Sequence, residues 1–227
     1  MQKSGLMDIL PYIIATIEHL NEPWGIKDTA SRHIYMNKVA KAYTSTPAGF
    51  DLEGRYDADF PTSWAEYAQD FIHQDRLTEQ SSKIVAIIET DYWYGQSYLN
   101  PYICEKIPLR DREGACVGTL WSARKIKVIS PQVCIGEKLP SVLHTSSEAS
   151  VFSESEVEVL YLLLKRLSRK EIAIQLNLSV KTVDNRIQNM YRKSGVHSLK
   201  QFEEYCQHAG LVDLLPTRFL QKGVIFI

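Results

Sequence analysis

The 227-residue chain has little cysteine, no unbroken apolar run and almost no net charge, and each shortage excludes something. Its four cysteines (Cys104, Cys116, Cys134, Cys206) match no CxxC or Cys/His ligand spacing and follow no secretory leader, so no zinc site is expected and the thiols are read as reduced and cytoplasmic. The stretch Met7 to Ile17 is interrupted by Asp8 and Pro11 and falls short of the ~20 residues that a bilayer crossing needs. No membrane partner is expected. Catalytic signatures are missing as well: there is no GxSxG, no phosphate-cradling glycine loop, no HExxH and no paired carboxylate setting, and His144 and His197 stand alone. No enzyme and no metal site are therefore expected. A hydrophobic content of 44% with 23% charged residues excludes the disordered and collagenous classes. At roughly 150 residues per domain the length allows one medium and one small domain.

The net charge of −1 conceals a segregation. Between Lys165 and Lys200 stand nine basic and two acidic residues, whereas the rest of the chain carries 17 basic and 25 acidic ones. A segment at +7 within a chain otherwise at −8 points to a local surface for a polyanion.

Composition divides the chain further. Residues 1–21 place Leu6, Ile9, Leu10, Ile13, Ile17 and Leu20 at helical spacing, which suits either a cap over a core or a flanking helix in a dimer. Residues 22–126 mix aromatic, strand-like runs with helices. A linker is expected over 127–151, where Pro131, Gly136, Pro140 and a Ser/Thr cluster gather. Residues 152–209 read as helices, and 210–227 form an extension ending in the apolar GVIFI. Such an end is rarely left in water, so it is expected to pack on the first domain as an added strand, with disorder as the competing reading.

In the first domain, WGIK and HIYM flank a hairpin turn at Asp28 to Ser31, Asn37 is an N-cap for KVAKAYT, and a long helix is expected through SWAEYAQDFIHQDRLTEQSS. Three extended runs follow: KIVAIIETDYW, PYICEKIPL and CVGTLWSARK. Asp111 to Gly114 joins the last two, with Gly114 at the positive-φ position of the loop. Along PYICEKIPL, Ile103, Glu105, Ile107 and Leu109 share the more apolar face and are expected inward, which sets Glu105 either at the sheet rim, the favoured place, or in a pocket as a polar anchor. All four tryptophans and nine of the twelve tyrosines precede residue 125. Candidate pocket residues are Tyr35, Trp64, Tyr67, Trp93, Tyr102, Glu105 and Trp121, since aromatic-lined cavities with few polar groups hold small flat ligands.

From YMNKVAKAYT through EKIPLRDREGACVGTLWSARKI the segment resembles a PAS sensor domain. That resemblance implies an α+β fold in which an antiparallel five-stranded sheet with helices cups a ligand or partner. No flavin-type Asn-Cys-Arg setting is present. His73 lies where some PAS proteins ligate haem, but it is read as a surface histidine. No cofactor is identified; a small-molecule signal in the cavity is left open.

The densest pattern lies in FSESEVEVLYLLLKRLSRKEIAIQLNLSVKTVDNRIQNMYRKSGVHSLKQFEEYC. Ser153 with Glu156 and Ser168 with Glu171 have capping-box spacing, and Ser179 is an N-cap before VKTVDNRIQNMYRK. Helices are expected over 154–166, 168–176 and 180–193. Only Asn177, Leu178 and Ser179 separate the last two, as in a helix-turn-helix. At about 100° per residue, Val183, Ile187 and Met190 fall within about 60° of one another and form a buried stripe, while Lys181, Asn185, Gln188 and Arg192 lie opposite. An exposed polar, partly cationic helix face of this kind fits a DNA major groove. Lys181, Asp184 and Asn185 are the candidates for base contacts; Thr182, Arg186, Arg169, Lys170, Arg192 and Lys193 are those for phosphates.

The segment resembles the LuxR/GerE-type helix-turn-helix, through the run Glu156 to Leu160 and then Lys170-Glu171-Ile172-Ala173, Ser179, Thr182-Val183, Asn189, Lys193 and Gly195-Val196. The resemblance implies an all-α four-helix domain that binds double-stranded DNA and whose last helix, about 198 to 207, forms a homodimer contact. The chain departs from the family pattern at Arg166 (usually Gly), Asp184 (Lys), Arg186 (His) and Ser194 (Leu). Asp184 could accept from cytosine or pair with Lys181 or Gln188. Together these features predict a cytoplasmic, homodimeric transcription regulator that a signal modulates. The alternative is an interaction module whose helical domain binds protein.

Overall fold

The computed structural model describes residues 4–81, 83–128, 141–145 and 151–227, the side chains of 4–8 and 128 excepted. Most of the expected linker, with Cys134, lies outside them. The chain divides into two compact units, residues 1–126 with 221–227, and residues 127–220.

In the first unit, helix α1 (Ser4–Ile17) precedes strands β1 (Trp24–Asp28) and β2 (His33–Met36). Asp28 builds the turn between the strands by accepting the Ala30 and Arg32 amides at 2.9 Å. Asn37 caps α2 (Lys38–Tyr43) by accepting from the Ala40 amide at 2.8 Å. The expected long helix arrives in two parts, a 3-10 turn over Ser63–Tyr67 and then α3 (Ala68–Gln80). Strands β3 (Val85–Asp91), β4 (Asn100–Arg110) and β5 (Cys116–Lys125) follow. Between β4 and β5, Asp111 Oδ1 accepts from the amides of Glu113 and Ala115, and Gly114 takes φ 84°, which only glycine adopts without strain.

All its pairings are antiparallel, in the order β2-β1-β5-β4-β3 with one more strand beside β3, so the sheet has six strands rather than five. The sixth is β8 (Gly223–Phe226), the apolar end of the extension, with Ile87 opposite Phe226 and Glu89 opposite Val224. Beside it Lys222 pairs with Glu66. The extension is thus divided, because residues 211–220 stay with the second unit.

The inward face of β4 is the opposite of the expected one. Tyr102, Cys104 and Lys106 are buried, while Glu105 is half-buried and Ile107 exposed. A lysine at this register reads as solvent-facing, but Lys106 Nζ donates to Asp75 Oδ1 at 2.5 Å and to the Phe71 carbonyl at 2.9 Å. Leu109 packs on the other face with Leu10, Ile17 and Ile26, where α1 covers the sheet.

The inner face carries two cations and two anions. Lys27 Nζ lies 2.5 Å from Asp57 Oδ2 and 3.7 Å from Asp75 Oδ2, and Asp75 also receives Thr119 Oγ1 at 3.3 Å. His33 Nε2 meets Asp57 Oδ1 at 2.9 Å. Burial opposes every one of these charges. The nearby lysines nevertheless hold Asp57 and Asp75 below the usual carboxylate range, and the two carboxylates raise Lys27. Burial and Lys27 lower His33, which therefore donates to Asp57 as a neutral ring.

In the second unit β6 (Lys127–Val128) pairs with β7 (Ser141–Val142), and helices α4 (Glu154–Leu164), α5 (Arg169–Leu176), α6 (Val180–Ser194) and α7 (Leu199–His208) enclose one core. Residues 211–220 return over α4, where Phe219 stacks on Tyr161 and Arg218 meets Glu158 at 3.2 Å. No helix among the described residues is long and apolar enough to cross a membrane.

Removing Asp75 strands the buried Lys106 ammonium and leaves Lys27 with Asp57 alone. Asp75→Ala is expected to cost the first unit about 3–5 kcal/mol. Urea unfolding followed by tryptophan emission isolates that unit, because all four tryptophans precede residue 125; a loss below about 1 kcal/mol would contradict the charge arrangement.

Candidate functional site

Two sites emerge, one in each unit. In the helical unit both capping boxes form. The Ser153 amide donates to Glu156 at 2.8 Å and the Ser168 amide to Glu171 at 2.7 Å. The three-residue connection turns at Asn177, which adopts φ 55°, and Ser179 then caps α6 through the Thr182 amide at 3.0 Å. Val183, Ile187 and Met190 are at most 1% exposed, while Lys181, Asn185, Gln188 and Arg192 lie open on the opposite side. The α6 amphipathicity expected from the sequence is therefore present residue by residue.

The charged candidates separate by what holds them. Lys181 and Lys170 are exposed and meet no ion-pair or hydrogen-bond partner among the described residues, and Arg192 leans on Asn189 Oδ1 at 2.9 Å. Thr182, half-buried, hydrogen-bonds to Ser179. Asp184 pairs with neither Lys181 nor Gln188: its Oδ1 lies 2.6 Å from Arg169 Nε, an exposed ion pair that joins the two helices of the motif. Arg186 and Lys193 are engaged within the unit. Arg186 Nη1 donates to the Ser155 carbonyl at 3.0 Å, and Lys193 Nζ donates to Glu156 at 2.7 Å, so both tie α6 to the start of α4. Arg166, where the family pattern has glycine, sits at φ 67° and pairs with Glu203.

The second site is a small cavity against the inner face of the PAS-like sheet, about 40 Å³ in volume. Trp64, Phe71, Trp93, Cys104 and Trp121 supply its apolar wall, and Gly25 lets the Trp121 ring lie against the β1 backbone where a Cβ would clash. Lys27, His33, Tyr43, Asp57, Glu89 and Lys106 supply polar groups. Burial pushes the Glu89 carboxyl up to about 7, against the hydrogen bond it accepts from Tyr43 Oη at 2.7 Å. Burial likewise raises the Tyr43 hydroxyl and the Cys104 thiol.

Of the expected pocket residues, Trp64, Trp93 and Trp121 reach the cavity. Tyr102 packs against Tyr43 without lining it, at 4.9 Å between centroids. Tyr35 bonds Glu18 and packs with the α1 cluster. Tyr67 lies beneath the Lys222 ammonium, 5.3 Å from its ring centre. Glu105 is half-buried on the outer face in the middle of β4, where it pairs with Arg124, so it is at neither the rim nor the pocket expected from the sequence. The polar residues escaped notice because each looks ordinary alone. One signal was available: Asp75 lies four residues after Phe71, on the buried face of α3, and so requires a cation. His73 is exposed, 5.2 Å from the Phe226 ring. Among the described residues no group of three or more His, Cys, Asp or Glu side chains could hold a metal ion.

An antiparallel sheet around a cavity, and a four-helix unit with an exposed recognition helix, define a PAS domain joined to a helix-turn-helix domain. Comparison with known proteins agrees: residues 150–205 match the family of bacterial regulatory proteins of the LuxR type, and residues 17–129 match the PAS fold. Residues 150–205 are thus a helix-turn-helix domain of the LuxR type, and residues 17–129 a PAS fold. The Fimbriae Z protein of Escherichia coli K12 is 44% identical over 62 residues, 27% of this chain and 30% of that protein. This chain thus spans about a third of the length of that relative. The crystal structure of the Vibrio cholera VqmA–ligand–DNA complex superposes with a TM-score of 0.75 at 22% identity, covering 96% of this chain and 95% of that one. The phage VqmA–DPO complex gives 0.66 at 23%, covering 98% of both. At these identities the likeness is one of fold.

Glu156 makes the helical unit sensitive to acid. Burial works to raise its carboxyl, but the Lys193 ammonium and the Ser153 amide hold it below the ordinary 4.5. Its contribution is complete above that value and is lost as pH falls through the lower folded value. Helical circular dichroism during denaturation at pH 7 and pH 3 is expected to show Glu156→Gln costing about 1 kcal/mol at pH 7 and less at pH 3. An equal cost at both would refute the ionic contribution.

Proposed function

We propose that this chain is a homodimeric, sequence-specific DNA-binding transcription regulator of the cytoplasm, a binding protein rather than a catalyst, whose PAS domain senses a small molecule. The observation that carries the reading is the division of α6, with an apolar stripe at most 1% exposed on one side and Lys181, Asn185, Gln188 and Arg192 on the other. A helix of this kind is anchored by one face and free to enter a groove about 12 Å wide with the other. Asn185 suits the paired donor and acceptor of an adenine edge, and Lys181 a guanine edge or phosphate. Thr182, Lys170 and Arg192 flank them as phosphate contacts. Arg169, aimed by Asp184, joins these, whereas Arg186 and Lys193 fix the angle of the helix.

Helix α7 is read as the dimer contact that brings two recognition helices about 34 Å apart. Sensing is assigned to the aromatic cavity, whose wall of Trp64, Phe71, Trp93 and Trp121 with a few polar groups is the lining of a small-molecule site. VqmA, whose fold this chain shares, has been crystallised with both a ligand and DNA. A signal that binds one arrangement of the domains more tightly shifts the population competent for DNA.

Mobility-shift titrations over salt test the reading. The log-log slope is expected near −0.9 per phosphate contact, and Lys170→Ala or Lys181→Ala should each reduce it by about one. Asn185→Ala should relax base preference, at about 1–3 kcal/mol, with the salt slope retained. A flat salt response, with dimerisation intact, would instead favour a helical domain that binds protein.

A further inference from the structure

The cavity holds a carboxyl group that its own walls do not pair with a cation. Lys27 and Lys106 are matched by Asp57 and Asp75, all four at most 3% exposed, and His33 is neutral. A further ionisable group, Glu89, points from β3 toward the same space, 4% exposed. Its Oε1 accepts from Tyr43, while no described residue donates to Oε2 and no described cation lies within ion-pair distance. The titratable groups acting on it are Tyr43 from α2, Lys106 from β4, Lys27 from β1 and Asp57. Burying a carboxylate unpaired is costly, so such a group either keeps its proton or acquires a cation. The surroundings favour the cation: Trp64, Trp93, Trp121 and Phe71 line the space, and indole faces attract organic ammonium groups.

We propose that Glu89 is the anchor of the PAS cavity and that the cavity takes a small organic cation, a primary ammonium or protonated nitrogen on an aromatic body, bound between Glu89 and the tryptophans. This rests on the reading of the cavity as the sensing site and adds the chemical class of the ligand. Binding is an ion pair with hydrogen bonds: the ammonium N–H groups donate to Oε2, and a proton still held by Glu89 is released to solvent.

Calorimetry on the full chain with benzylamine and 2-phenylethylamine, each against its neutral isostere, benzyl alcohol and 2-phenylethanol, tests this. The amines are expected to bind tenfold or more tightly than the alcohols, as charge-assisted bonds add about 1.5–3 kcal/mol. Glu89→Gln should abolish that preference while leaving the alcohols unchanged. A second measurement needs no variant: at pH 6.5 the heat of amine binding should depend on the ionisation enthalpy of the buffer, because a proton leaves, while that of the alcohols should not. Equal affinity for amine and alcohol, or a preference that survives Glu89→Gln, would overturn the role of Glu89 but not the cavity. Failure of all four compounds to bind would sink the sensing reading itself, together with this inference.

Discussion

Asp75 receives two lysines, and the interior of the PAS domain is arranged around that fact. The carboxylate comes from the middle of α3, one ammonium from β1 and the other from β4, so three separate elements are located by their charges. Each charge alone would oppose folding at this depth; together they are tolerable, and they determine which face of β4 turns inward. The result is an apolar, aromatic core that meets an ionic cluster at a small cavity.

The helical domain was legible in the sequence because several levels of description agree there. Ser153, Ser168 and Ser179 announce helix starts by short-range hydrogen bonding, and the Val183, Ile187, Met190 stripe repeats with the period of the helix. Neither signal depends on a distant residue. What escaped was which cations are already engaged: Arg186 and Lys193 are spent on α4, and Asp184 on Arg169, because their partners lie 15 to 37 residues away.

The PAS domain was legible in its order of elements and much less so in its interior. The strands and turns follow local rules, as Asn37, Asp28 and Gly114 illustrate. Alternation along β4 gave the wrong inward face, since an apolar count ranks Ile103, Ile107 and Leu109 above a face containing Lys106. That ranking fails when a lysine finds its carboxylate 31 residues earlier. The same blindness hid Glu89 and Tyr43, which meet across 46 residues. Three tryptophans of the expected pocket do reach the cavity, because large aromatic rings seek the interior whatever their neighbours.

The sixth strand has a consequence for biosynthesis. Residues 223–226 leave the ribosome after the whole helical domain has been translated, yet they belong to the sheet begun by residues 24–36. Until then the outer edge of β3 offers unpaired amides and carbonyls to the cell, next to a stretch rich in isoleucine. The helical domain is thus an insertion in the nascent chain, and the sheet in which it is inserted is completed only when that insertion has been made.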